Sequence, residues 1–129
     1  MRALAVSSCR LYNSVMPGLF IKNGERRNAT LLFADMKGFT HLSEYMDPEE
    51  MDSLMNKIFG TFEEIIQNYG GYVEKYIGDA LVAVFGVKEL HDDDPFRAVK
   101  AALEFLHRIK NLALDLKKDS VEFAFRIGI

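Results

Sequence analysis

The 129 residues predict one α+β domain, in which a mainly antiparallel sheet carries helices on one side, in the ferredoxin-like order β-α-α-β-β-α-β. Three observations carry that expectation. Two long stretches repeat apolar residues at helical spacing, short β-prone runs flank them, and two of those runs are separated by only two residues. A mass of 14.7 kDa suits one domain rather than two. With 49% hydrophobic and 27% charged residues, the composition is globular and excludes a disordered chain.

Residues 1–24 hold Arg2, Arg10 and Lys22 and no acidic residue. They read as an irregular lead-in with a turn at Pro17-Gly18. The basic, serine-containing bias also suits a transit peptide or signal sequence, although Arg10 and Asn13 interrupt the apolar stretch. Residues 29–34 form a nearly continuous apolar run ending at Asp35, the pattern of a strand buried on both faces. Gly38 breaks the run, and Thr40 can cap a short helix reaching about Met46. Asp47 as N-cap with Pro48 at the first helical position opens a longer helix. Its apolar stripe is Met51, Leu54, Met55, Ile58, Phe59, Phe62, Ile65, Ile66 and Tyr69, and Gly70-Gly71 ends it.

Residues 72–77 and 80–85 read as a hairpin turning at Gly78-Asp79. Asp94-Pro95 starts the last helix, with Phe96, Val99, Leu103, Leu106, Ile109 and Ala113 expected on its inner face. Residues 121–129 read as a strand. The methionines at 46, 51 and 55 read as packing residues. His91 and the three aspartates after it read as a helix start rather than a metal cluster. Glu25-Arg26-Arg27 reads as a solvated approach to the first strand, and Lys117-Lys118 as a favourable contact with a helix dipole.

Net charge −3 and a pI near 5.6 exclude a generic nucleic-acid-binding surface. No apolar run reaches the roughly 18 residues of a membrane span. The lone cysteine, Cys9, excludes an intrachain disulfide and suits a reducing, cytoplasmic setting. Chemistry concentrates at Asp35, at a strand end, and Asp79, at a hairpin tip. In this topology the first strand lies beside that hairpin, so the two carboxylates can approach each other. They either share a divalent cation, completed by water and substrate phosphates, or serve as a helix-capping and a turn residue respectively. The segment Met36-Lys37-Gly38-Phe39-Thr40 between strand and helix suits phosphate, because Gly38 allows close approach and a helix start offers free N–H groups.

The stretches TLLFADMKGFT from Thr30 and YIGDALVAVFG from Tyr76 closely resemble the catalytic domain of class III adenylyl and guanylyl cyclases. The likeness runs from about GERR at Gly24 to RIGI at Arg126. DPEE at Asp47 and HDDDPFRAV at His91 are most similar to bacterial cyclases related to soluble adenylyl cyclase. The resemblance implies a palm-like cyclase fold over residues 25–129. It also implies conversion of ATP to cyclic AMP and pyrophosphate with two Mg²⁺ or Mn²⁺ ions. Asp35 and Asp79 match the family's metal-binding aspartates, and Ala34 would add its carbonyl. The backbone of Met36, Lys37, Gly38, Phe39 and Thr40 matches the phosphate turn, and Lys75 the purine-selecting position. Lysine there implies adenine, since its N–H meets the N1 acceptor of adenine but faces the N1–H donor of guanine. The alternative is a solvated strand lysine.

Family members continue past the FRIGI stretch. The resemblance therefore implies that the C-terminal part of the domain is missing here, with its second purine-selecting residue and its Asn and Arg. Family sites form between two subunits, so a homodimer or a pairing with another cyclase domain is expected. The alternative is a catalytically incomplete nucleotide-binding or dimerisation module that regulates a complete cyclase. A diguanylate-cyclase-like or polymerase-palm-like domain is disfavoured by the Ile-Gly-Asp-Ala turn at residues 77–80.

Overall fold

The computed structural model describes residues 28–116 and 123–129. The readings of residues 1–24, of Glu25-Arg26-Arg27, of Lys117-Lys118 and of the start of the last strand lie outside these residues. The elements are β1 (Thr30–Lys37), α1 (Phe39–Tyr45), α2 (Pro48–Asn68), β2 (Tyr72–Ile77), β3 (Ala80–Phe85), α3 (Asp94–Leu116) and β4 (Ala124–Gly128). All strand pairs are antiparallel, in the order β2-β3-β1-β4. The expected α+β order is therefore the observed one.

Side-chain alternation gives the sheet two unlike faces. Leu32, Ala34 and Met36 of β1, Leu81, Ala83 and Phe85 of β3, and Phe125 of β4 are buried in one core with α2 and α3. On β1 the intervening Leu31, Phe33 and Asp35 are only half-buried. The strand expected to be buried on both faces thus alternates. Its neighbour β3 is the continuous one, with residues 81–85 all buried. Phe62 meets Phe105 edge-on at 4.9 Å and Phe105 meets Phe125 at 5.1 Å, tying α2, α3 and β4 together.

The long helix keeps its expected stripe, with Phe59 and Tyr69 partly buried at its margin. Asp47 stands at its N-cap, where its carbonyl accepts the Met51 N–H at 2.9 Å. Helix α3 corrects the expectation. Phe96, Val99 and Leu103 are 58%, 43% and 62% exposed, while Ala98, Ala101, Ala102, Phe105 and Ile109 are buried. The largest apolar residues suggested one stripe, but a strip of alanines allows the helix axis close to its neighbours, and that closeness decides the face. A second correction concerns α1. Its N-cap is Gly38 (φ 93°), not Thr40, because the chain leaves β1 through a left-handed turn that glycine adopts readily.

Candidate functional site

The antiparallel register of β1 and β3 sets Asp35 opposite Ala80, the residue next to Asp79. A two-residue turn, Gly78 (φ 61°) and Asp79, joins β2 to β3, so Asp79 emerges beside the end of β1. Both aspartates are partly exposed. Asp35 belongs to the sheet face away from the helices, since its neighbours Ala34 and Met36 are buried in the core. The register thus sets the two aspartate positions singled out from the sequence next to each other on neighbouring strands.

The remaining expected site residues divide. Ala34 and Met36 are buried on the helix side, so only their backbone could serve a ligand. Lys37 ends β1 and is exposed, Phe39 packs against the core, and Thr40 is exposed in the first turn of α1. No side chain caps α1. The first-turn N–H groups of a helix have no partner within it.

Lys75 is exposed and pairs with Val82, beyond a bulge at Glu74 that shifts the β2 register. That pairing places Lys75 on the same sheet face as Asp35, two strands away. The strand spacing and rise put their Cα atoms about 12 Å apart. The tyrosine phenols on either side of Lys75 in β2 are both held above their ordinary value. Burial, and then Glu74, pushes the Tyr72 phenol up to about 12, and burial with Glu63 raises Tyr76.

One contributor was not singled out from the sequence. Arg126 of β4 is the direct cross-strand partner of Asp35, and its Nη2 donates to Asp35 Oδ2 at 2.8 Å. Alternation along β4 was the available signal, since Phe123, Phe125 and Ile127 turn to the core and leave Arg126 on the carboxylate face. Its partner lies 91 positions away, which local pattern does not reveal.

Among the described residues, no third His, Cys, Asp or Glu joins the pair to form a metal-ligating group. Two carboxylates still fit Mg²⁺, which keeps several waters and takes phosphate oxygens. The guanidinium on Asp35 also shows a carboxylate that attracts a cation. A cavity of about 620 Å³ lies elsewhere, between α3 and β4. It is lined by Leu106, Ile109, Phe123 and Phe125 and reaches the turn only at Lys37 and Gly38. The acidic run behaves as the expected helix start. Asp94, 4% exposed, accepts the His91 N–H at 2.9 Å and holds the His91 ring at 3.2 Å, and Asp93 pairs with Arg97 at 2.7 Å.

The family model for the adenylate and guanylate cyclase catalytic domain matches residues 21–129. Receptor-type guanylate cyclase gcy-28 of Caenorhabditis elegans is 33% identical over 100 residues, which is 78% of this chain and 8% of that protein. Among solved structures, the adenylyl cyclase CyaB of Pseudomonas aeruginosa superposes with a TM-score of 0.75 at 27% identity. The superposition covers 81% of this chain and 55% of that one. The guanylate cyclase domain of RhGC from Catenaria anguillulae, solved with GTP, gives 0.68 at 30% identity, covering 78% and 53%. The chain therefore spans about half of each solved domain and a small part of the full-length receptor.

Proposed function

We infer that the chain, which belongs to the adenylate and guanylate cyclase catalytic-domain family, supplies the metal- and phosphate-binding portion of an adenylate cyclase. The reaction would convert ATP to cyclic AMP and pyrophosphate in intracellular signalling, in the cytoplasm. The observation carrying this reading is the Asp35–Ala80 pairing, which sets Asp79 beside Asp35 at one end of the sheet. Asp35 and Asp79, with the Ala34 carbonyl, would hold Mg²⁺ or Mn²⁺. Divalent ions held there would make the ribose 3′-hydroxyl a better nucleophile and would offset charge on the leaving pyrophosphate.

The chain's own groups do the rest of the positioning. The uncapped start of α1, reached through the left-handed turn at Gly38, offers the backbone of residues 36–40 to phosphate oxygens. Lys75 stands on the carboxylate face and would donate to N1 of adenine. GTP presents a donor at that atom, so the same lysine disfavours it. A second cyclase subunit would complete the site.

Calorimetry with Mn²⁺–ATP tests the carboxylates. Asp35→Ala and Asp79→Ala should each abolish binding while circular dichroism stays unchanged. Unaltered affinity in both variants would end the two-metal reading. In a chain extended to the full domain, Lys75→Glu should shift the ATP/GTP preference by about 5- to 150-fold, for a hydrogen bond lost and a partner left unpaired. A constant ratio would end the adenylate assignment.

A further inference from the structure

Arg126 and Asp35 face each other across β4 and β1, and their side chains are 71% and 49% exposed. A surface pair of this kind contributes little to holding strands together, because water screens it. Its position matters more than its stability. The guanidinium lies 2.8 Å from Oδ2 of Asp35, so it fills one direction from which that carboxylate could ligate a cation. It also places a unit positive charge where a divalent ion would have to arrive, and like charges at that range repel.

We propose that Arg126 is an internal counter-ion that competes with the divalent cation for Asp35. This rests on the reading of Asp35 as a metal ligand. The paired arginine neutralises the carboxylate before a cation binds and keeps affinity for a bare divalent ion below what Asp35 and Asp79 alone would give. A cation binds by displacing the guanidinium from Oδ2. Asp79 has no such partner in the register, because its hairpin turn lies outside the β1–β4 ladder. The competition therefore acts through Asp35.

The test measures Mn²⁺ binding to the purified 129-residue chain without nucleotide, by the electron paramagnetic resonance signal of the free ion at constant ionic strength. Arg126→Gln should tighten Mn²⁺ binding by about 2- to 5-fold, the range expected for release of an exposed ion pair. Arg126→Lys keeps the charge without the fork and should fall between the parent and Arg126→Gln. On an Asp35→Asn background, Arg126→Gln should change nothing. Circular dichroism checks each fold, and the lysine variant decides if the glutamine variant is misfolded. Unchanged or weaker Mn²⁺ binding in Arg126→Gln, with binding still lost in Asp35→Asn, overturns the competition and leaves the metal reading standing. Mn²⁺ binding that is absent in the parent, or indifferent to Asp35→Asn, overturns the metal reading itself.

Discussion

Replacing Leu103 with alanine should leave stability within about 0.5 kcal/mol of the parent, whereas enlarging Ala101 to leucine should cost about 1–3 kcal/mol. The structure sets both magnitudes. Leu103 is 62% exposed, so its truncation opens no cavity and removes little apolar area from contact. Ala101 is fully buried in the core shared with α2 and the sheet. Three added carbons there have no free volume to enter, since interiors are packed at crystal-like density. Alanine and leucine have nearly equal helix propensity, so the comparison reports packing rather than backbone preference. The opposite helix orientation makes the opposite prediction. A buried Leu103 would lose about 2–5 kcal/mol on truncation, and an outward Ala101 would accept leucine freely. Equilibrium urea unfolding followed by circular dichroism separates the cases. A Leu103→Ala loss above about 2 kcal/mol, together with a neutral Ala101→Leu, would refute the assigned face of α3.

Two glycines should respond with opposite signs. A Cβ at the exposed helical Gly60 meets nothing within 4 Å, so Gly60→Ala should stabilise by about 0.5–1 kcal/mol. At Gly71 a Cβ would lie 2.7 Å from the ring of the fully buried Phe85, so Gly71→Ala should destabilise. Thermal melts that move in the same direction would contradict this. Because the Tyr72 phenol is pushed up from 10 to about 12, the folded state holds that proton more tightly than the unfolded chain. Its contribution is present below pH 10 and declines as pH rises through about 12. Alkaline unfolding of Tyr72→Phe should show a shallower dependence in that window, and an identical slope would count against it. Finally, with Mn²⁺–ATP the 129-residue chain alone should make no more cyclic AMP than its Asp79→Ala variant. It spans 55% of the CyaB chain, and an arginine supplied to a phosphoryl-transfer site is worth about 10³–10⁵ in rate. Asp79-dependent product from the chain alone would show that these residues suffice.

Secondary structure was legible wherever the local chain carried both a period and a stop. In α2 the Asp47-Pro48 start, a stripe at helical spacing and the Gly70-Gly71 end agreed with one another, and the buried set matches that stripe. The hairpin was equally clear, because a two-residue Gly-Asp connection leaves little choice of register. Helix α3 shows where such reading weakens. Its small and large apolar residues occupy two adjacent faces, and sequence spacing alone does not say which one meets a neighbour. Close approach favoured the alanines, with Phe105 and Ile109 filling the space beyond them. That preference is a tertiary property of α2, α3 and the sheet together.

The site divides in the same way. Asp35 and Asp79 could be singled out because one closes an apolar run and the other turns a hairpin, where a carboxylate is poorly explained by packing. Their neighbourhood follows from strand order, since β1 pairs with β3. Arg126 followed a different rule. Its side chain faces the carboxylates because β4 alternates, and it meets Asp35 because β4 pairs with β1 in one register out of several possible. A slip of one residue would turn Arg126 toward the buried face and bring Phe125 or Ile127 to the carboxylate face. The apolar positions of β4 therefore do two things. Burial of Phe123, Phe125 and Ile127 against α3 and β1 fixes the register, and the register delivers a cation to Asp35. Core packing on one face of the sheet thus sets the electrostatics on the other.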